Sequence, residues 1–541
     1  MVNSEDKYSS AVSRILRGKG IYIFYAYTLV LFLMNFIRIF DCAYWGDEAF
    51  SIALAKMTVP EMIEATAQDV HPPLYYLFLQ LLYRILGDHG YTYHLSALIP
   101  YAGILILGIT VIRKRFGIIP PLIMNTMISI LYYPVRYNVE IRMYALAAFL
   151  VLLAYLALYG ILKQDRLRDW MIFFFSSIAA AYTHYYALIY VAFFYLTLLI
   201  MMLKRRSLMN RTLILCSVTI ACYVPWLFVL IGSFVRTAGG WWVTDIPSVR
   251  DILLFVFDGK YVCLLFALVL ALYLARELGI ASFGADAGKT ISNETSSETS
   301  EESDNAMSNG ADDRSCAATD AVLESGEELA SRSGSGVKTG KLCFLPSASI
   351  SFSDEAVWVL SGMCSFAGTV LIGTILSLLV RPFFVDRYCF PILPVIYLIF
   401  GYCMSRLSLR RWLAAFALVL LFVLEMPIYL NMLRTDWNLN AETRLFLENV
   451  QPSEDALIIT DNYYMDWTQL DYYYPDNARS YAEDEMPAAL DTSYDEVWLF
   501  LNNELTPAQA AAYEENGFKL DFTYDGDFAG YSHFYVYEYG R

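Results

Sequence analysis

Charge is what this sequence has least of. Only 17% of its 541 residues are Asp, Glu, Lys or Arg, against 57% hydrophobic residues, with a mean hydropathy of +0.44. A soluble chain of this length needs far more polar surface, so the composition excludes a water-soluble protein and reads as a polytopic membrane protein. Cysteine is sparse and poorly placed: nine residues, no CxxC pair, none in 433–541, and Cys216, Cys222, Cys263, Cys364, Cys389 and Cys403 inside apolar runs. That excludes a disulfide framework and a structural zinc site. A surplus of positive charge is missing too, and the net charge of -16 excludes a general nucleic-acid binder. No small-residue cleavage site follows the apolar run 21–40, which stands behind Lys7, Arg14, Arg17 and Lys19. It reads as a retained first span with a cytoplasmic N-terminus.

The acidity is local. Residues 281–355 hold 14 acids and 5 bases, residues 433–541 hold 22 acids and 5 bases, and the remainder holds 18 acids against 28 bases, a net of +10. Basic residues gather on the inner side of membrane spans, and here they cluster at 113–115, 163–168, 204–206 and 406–411. Apolar runs lie between them at about 93–112, 118–134, 139–161, 170–185, 186–203, 211–233, 252–276, 356–380, 388–404 and 412–432. The run 72–87 is short and opens with Pro72-Pro73, which suits a re-entrant or interfacial helix. Alternation then gives about 11 transmembrane helices with the C-terminus outside; the alternative is one loop that breaks the positive-inside rule.

Four regions follow: a membrane module over 1–280 with its first outer loop at 41–72, an acidic Ser-rich loop over 281–355, further spans over 356–432, and an outer domain over 433–541. The acidic loop shows no apolar periodicity and is expected to be a disordered cytoplasmic segment. The last region carries strand candidates at 456–460 and 496–501, a helix candidate at 507–516 and the alternating HFYVYEY of 533–539, so a small α/β domain is expected.

Charged residues near the outer ends of spans are costly unless they face water or a partner, and they accumulate on one side here. Asp41, Asp47 and Glu48 lie in DCAYWGDEAF, Asp69 and His71 in DVHPPLYY, Arg136, Glu140, Arg142 and Tyr144 in VRYNVEIRMYAL, His184, Tyr185 and Tyr186 in YTHYYAL, and Arg381, Asp386 and Arg387 in RPFFVDRYCFPILP. Carboxylates can take a proton from an attacking hydroxyl or amine, while Arg and His can hold a phosphate. A pocket with both at the outer membrane edge suits group transfer from a lipid phosphate.

The order WGDEAF, DVHPPLYY, RKRFG, EIRMYAL, RYCFPILP resembles the GT-C membrane glycosyltransferases, in particular the bacterial branch related to protein O-mannosyltransferases and the lipid A aminoarabinose transferase. The resemblance covers about residues 20–200 well and 356–432 loosely. It implies a GT-C fold in the bacterial plasma membrane and inverting transfer of a sugar from a polyprenyl-phosphate donor to an acceptor outside. Asp47 is then the general base and Glu48 its neighbour. His71, Arg142, Arg387, His184 and Tyr144 are implied contacts of the donor phosphate or sugar, and Asp69, Glu140 and Tyr185 are implied to contact the acceptor or line the site. Where the eukaryotic protein mannosyltransferases carry a lumenal module, this chain has its acidic linker, which favours an envelope glycan or lipid over a protein as acceptor.

No cofactor and no metal are expected, since no His/Cys spacing demands one, although a divalent cation beside the carboxylates stays open. A lipid-diphosphate-dependent ligase or polymerase is an alternative within the enzyme class. A transporter is the main alternative outside it, disfavoured by the absence of a repeat between the two halves; a non-catalytic scaffold ranks below that. Clusters such as Asp461-Asn462-Tyr463-Tyr464 give the outer domain a carbohydrate-contacting character that Tyr-rich surface strands share.

Overall fold

The computed structural model describes residues 4–40, 44–239, 243–278, 352–407, 411–435, 441–481, 493–528 and 531–541. Asp41 and nearly all of the acidic loop lie outside them. Helix α1 (Ser4–Phe36) leads into the segment expected to be the first outer loop, built from α2 (Gly46–Lys56) and α3 (Val59–Gln68). Pro72 and Pro73 delay the next helix, α4 (Leu74–Leu86), which stops at Gly87 with φ 83°, a left-handed cap that glycine adopts freely. Next come α5 (Gly90–Leu107), α6 (Arg113–Phe116), α7 (Ile119–Ile130) and α8 (Tyr132–Tyr137), and a tight turn over 138–143 then delivers the chain to α9 (Tyr144–Gln164).

The remaining membrane helices are α10 (Leu167–Ala181), α11 (Tyr185–Lys204), α12 (Met209–Gly239), α13 (Val249–Phe257), α14 (Lys260–Glu277), α15 (Asp354–Leu379), α16 (Leu393–Arg406) and α17 (Arg411–Thr435). The protein is a multi-pass membrane protein. Among the described residues seven helices are long and apolar enough to cross a bilayer, or eight if α13 and α14, bent by 87°, form one broken span. Eleven crossings would also require α17 and the short α7 and α10, whose 12 and 15 residues fall below the ~20 of a perpendicular span. The 13-residue α4 is shorter than a crossing as well.

One apolar core joins these helices. Helix α16 is buried on nearly every side, while α12 leaves most of its apolar surface exposed, so α16 is the centre of the bundle and α12 faces lipid.

After α18 (Ala441–Asn449) the chain forms a sheet of order β2-β1-β3-β5-β4. Its strands are β1 (Leu457–Thr460), β2 (Ala478–Tyr481), β3 (Glu496–Leu501), β4 (Lys519–Phe528) and β5 (Tyr531–Gly540). β1 pairs in parallel with β2 and β3, and β5 pairs antiparallel with β3 and β4. The central strands read as continuous apolar runs, ALIIT and EVWLFL, because both faces are covered. One face packs under α18 and the segment holding α19 (Tyr463–Met465) and α20 (Asp471–Tyr473), and the other under α21 (Pro507–Glu515).

Candidate active site

The first turn of α2 carries two acids, Asp47 and Glu48, where the helix dipole favours negative charge. They face different ways. Glu48 is buried, and its carboxylate accepts the backbone N–H of Trp45 at 3.4 Å and of Ile141 at 2.9 Å. It thereby ties the 138–143 turn to α2.

Asp47 keeps a quarter of its side chain exposed and lies between two guanidinium groups, with Oδ2 3.3 Å from Arg387 Nη1 and 3.7 Å from Arg142 Nη2. Arg142 is buried. Its Nη1 donates to the Asp47 carbonyl at 3.1 Å and to Ser51 Oγ at 3.4 Å, and its Nη2 lies 3.3 Å from His71 Nε2. Arginine can only donate, so His71 Nε2 accepts and its Nδ1–H donates to Asp69 Oδ2 at 2.7 Å. Asp69, His71, Arg142 and Asp47 thus form one chain of contacts across three segments that are distant in sequence.

Burial opposes ionisation of Asp69, but its interaction with His71, hydrogen bond included, and the Arg142 charge hold its carboxyl below the ordinary value. Burial also works against the charge on Arg142, yet Asp47 beside it raises that pKa further. Glu140 goes the other way: burial pushes it up to about 7, and Arg136, 3.5 Å away, offsets only part of that. His184 caps α11, its Nδ1 accepting the Tyr186 N–H at 3.1 Å. Burial first, then the neighbouring His71, Arg142 and Arg387, hold its pKa well below the usual histidine value, so this ring is a neutral donor through Nε2.

Beside this network a cavity of about 200 Å³ opens between α11, α12 and α15. Its polar lining includes His71, His184, Tyr185, Ser233 and Tyr388, and its apolar lining Leu188, Ile189, Leu230, Ile372 and Leu376. Tyr388, next to Arg387, stacks on Tyr186 at 4.6 Å. Tyr144 packs its buried ring against His184 at 5.7 Å, and the Tyr185 hydroxyl accepts from Trp226 at 3.3 Å.

Of the residues singled out in the sequence, the structure gathers Asp47, Asp69, His71, Arg142 and Arg387 into one network. It sets His184 and Tyr185 on the cavity wall and places Glu48, Glu140 and Tyr144 behind the site. Three residues were not foreseen. Trp45 holds its ring within 5.7 Å of the Arg136 guanidinium and 5.8 Å of that of Arg387, Ser51 receives Arg142, and Tyr388 lines the cavity. Trp45 was two residues from Asp47 in the same motif, and Ser51 was one helical turn after it.

The C-terminal domain reaches the same place. Tyr464 stacks on Phe50 of α2 at 5.7 Å, Trp467 meets Phe50 at 5.3 Å, and the Tyr473 hydroxyl exchanges hydrogen bonds with the backbone of Tyr44 at 2.7 and 3.2 Å.

A helical membrane module with two acids at the head of α2, followed by a small α/β domain, is a fold that this chain shares with solved structures. Solved structures that match include those of ArnT from Cupriavidus metallidurans, an aminoarabinose transferase, in the apo state (TM-score 0.56) and bound to undecaprenyl phosphate (TM-score 0.53). Each is 12% identical in sequence and aligns with 96% of this chain and 98% of its own. At that identity the likeness establishes the fold. Neither a family model nor a curated protein matches the sequence.

Proposed function

We propose that this protein is a membrane glycosyltransferase that moves a sugar from a polyprenyl-phosphate donor to an acceptor hydroxyl or amine on the outer face. The observation that carries the reading is the placement of Asp47 between Arg142 and Arg387, joined through the Arg142–His71 contact to the wall of an apolar cavity. His71 belongs to both the network and the cavity wall, and Tyr388 on that wall directly follows Arg387, so a ligand with a lipid tail and an anionic head would meet both at once. The solved structure with undecaprenyl phosphate, a ligand of that class, supports the choice of donor.

In this reading the polyprenyl tail lies along the cavity, and its phosphate draws the Arg387 and Arg142 guanidiniums through charge-assisted hydrogen bonds. Asp47 takes the proton of the acceptor. The acceptor oxygen or nitrogen attacks the anomeric carbon from the face opposite the phosphate, the C–O bond to phosphate breaks, and its electron pair leaves on polyprenyl phosphate. The two arginines hold the negative charge of that leaving group, so no strong general acid is required. The stereochemical outcome is inversion. The His71–Asp69 pair fixes the orientation of Arg142, and Glu48 fixes the turn from which Arg142 projects.

The test is a transfer assay on purified protein in lipid with a panel of polyprenyl-phosphate sugars and cell-envelope extract, following release of polyprenyl phosphate. Wild type is expected to release it and Asp47→Asn to lose at least 100-fold, since positioned proton transfer contributes about 10²–10⁴. A fully active Asp47→Asn variant would remove Asp47 as the base, and no consumption of any donor would remove the reading itself.

A further inference from the structure

The outer domain has a second polar feature, away from the network around Asp47. β1, β2 and β3 run in parallel and end level, with Thr460 opposite both Tyr481 and Phe500. Beyond β1 the chain turns to one face of the sheet, where Met465 and Leu470 join the core under α18. Beyond β3 it turns to the other face, where Tyr513 of α21 joins the opposite core. Adjacent parallel strands whose continuations leave in opposite directions form a switch point, and the crevice outside their carboxyl ends is where open α/β sheets bind ligands.

Here that crevice is furnished for a ligand. Asp461 follows β1 and accepts the Asn502 N–H, which follows β3, at 3.0 and 3.2 Å, so the two rims are held together. Asn462 Nδ2 donates to Asn502 Oδ1 at 3.3 Å, and the exposed Asn502 keeps its own amide nitrogen for an incoming acceptor. Tyr463 is 65% exposed and meets the ring of Tyr481, at the end of β2, edge-to-face at 5.5 Å. Exposed aromatic faces beside amide and carboxylate groups suit the apolar faces and hydroxyls of a sugar. Glu504 stands on the same rim and the region 433–541 holds 22 acids to 5 bases, a balance that disfavours an anionic ligand.

We infer that the carboxyl edge of this sheet, at Asp461, Asn462, Tyr463, Tyr481 and Asn502, is a binding site for a neutral saccharide. The inference rests on the proposed transferase reading for the identity of that saccharide as the acceptor glycan. Tyr463 precedes Tyr464, which stacks on Phe50 of α2, so a glycan held here lies beside the helix that carries Asp47.

The full-length protein in fluorescently labelled nanodiscs is applied to an array of neutral oligosaccharides of hexoses, N-acetylhexosamines, deoxyhexoses and pentoses, printed beside their phosphorylated or sulfated counterparts. Wild type is expected to bind at least one neutral glycan and its anionic counterpart less, with binding weakened at least tenfold in Tyr463→Ala and in Asn502→Ala. Both side chains are exposed, and an unchanged thermal unfolding curve shows that the variants are folded. Absence of binding to every neutral glycan, preference for the anionic forms, or equal binding by both folded variants would overturn the site. Release of polyprenyl phosphate by wild type separates the two readings: Asp47-dependent release without glycan binding removes only the crevice, whereas glycan binding without any release leaves the crevice and removes the transferase.

Discussion

Asp47 shares its carboxylate between two guanidinium groups, and a donor phosphate must compete for the same positive charge. Arg387 is the more accessible of the two, its side chain 16% exposed against 2% for Arg142. Arg387→Ala should therefore raise the donor concentration needed for half-maximal transfer by about 10–100-fold, the equivalent of a charged hydrogen bond of about 1.5–3 kcal/mol. A donor titration with an unchanged midpoint would take Arg387 out of the site. Glu140 yields a prediction of a different kind. Its folded carboxyl titrates at about 7 rather than at its ordinary 4.5, so the folded state binds this proton more tightly than the unfolded state does. The resulting stability is fully present below pH 4.5 and is lost as pH rises through about 7, with a limit of about 3 kcal/mol. Glu140→Gln cannot ionise and should flatten the fall in unfolding temperature between those pH values. A variant that keeps the wild-type slope would assign the titration to another group.

Among elements, α7 and α16 approach backbone to backbone. A Cβ on Gly401 would stand 2.7 Å from Cα and 2.8 Å from the carbonyl oxygen of Pro120, and backbone, unlike a side chain, has no rotamer into which it can retreat. Gly401→Ala should separate the two helices and cost about 1–3 kcal/mol, read as a lower unfolding temperature in detergent; an unchanged temperature would mean the helices slide apart freely. This scale also shows what the sequence could and could not disclose. The long spans and the charged residues at their outer ends were legible, because apolar length and stranded charge are local properties: Asp47, Asp69, His71, Arg142 and Arg387 stood out for that reason. The breaks were not. The run 118–134 reads as one span, yet α7 gives way to α8, and the Tyr132 N–H at the break is taken by the carboxylate of Asp258, 126 residues away. Asp258, with φ 55°, also marks the 87° bend inside what reads as a single run over 252–276. Such breaks are stabilised by a partner the local pattern does not contain. The same holds for Trp45 and Ser51, whose importance comes only from the arginines placed against them by other segments.

At the scale of the whole molecule, the C-terminal domain is coupled to the helix that carries the proposed base. Its sheet has apolar cores on both faces, formed almost wholly by its own residues, so its fold does not depend on α2. What it gives α2 is a rigid backing: Trp467 and Tyr464 on Phe50, Tyr472 against Tyr44 at 5.0 Å, and the Tyr473 hydroxyl on the Tyr44 backbone. Misplacing a catalytic group by about 1 Å can cost as much as 10²-fold in rate, so loosening this backing should appear in turnover before it appears in stability. Trp467→Ala removes a half-buried ring from the contact while leaving both sheet cores in place. Its expected effect is about a tenfold fall in kcat with the donor requirement little changed, because its ring packs on Phe50 and Tyr464 and is not part of the cavity lining. Hydrogen exchange should rise in α2 and in the segment 463–473 and stay constant in β1 and β3. A variant with normal kcat and normal exchange in α2 would show that the domain stands on the membrane module without positioning it. A variant in which exchange rises throughout the sheet would show instead that the two parts fold as one, and that the backing of α2 is inseparable from the stability of the domain.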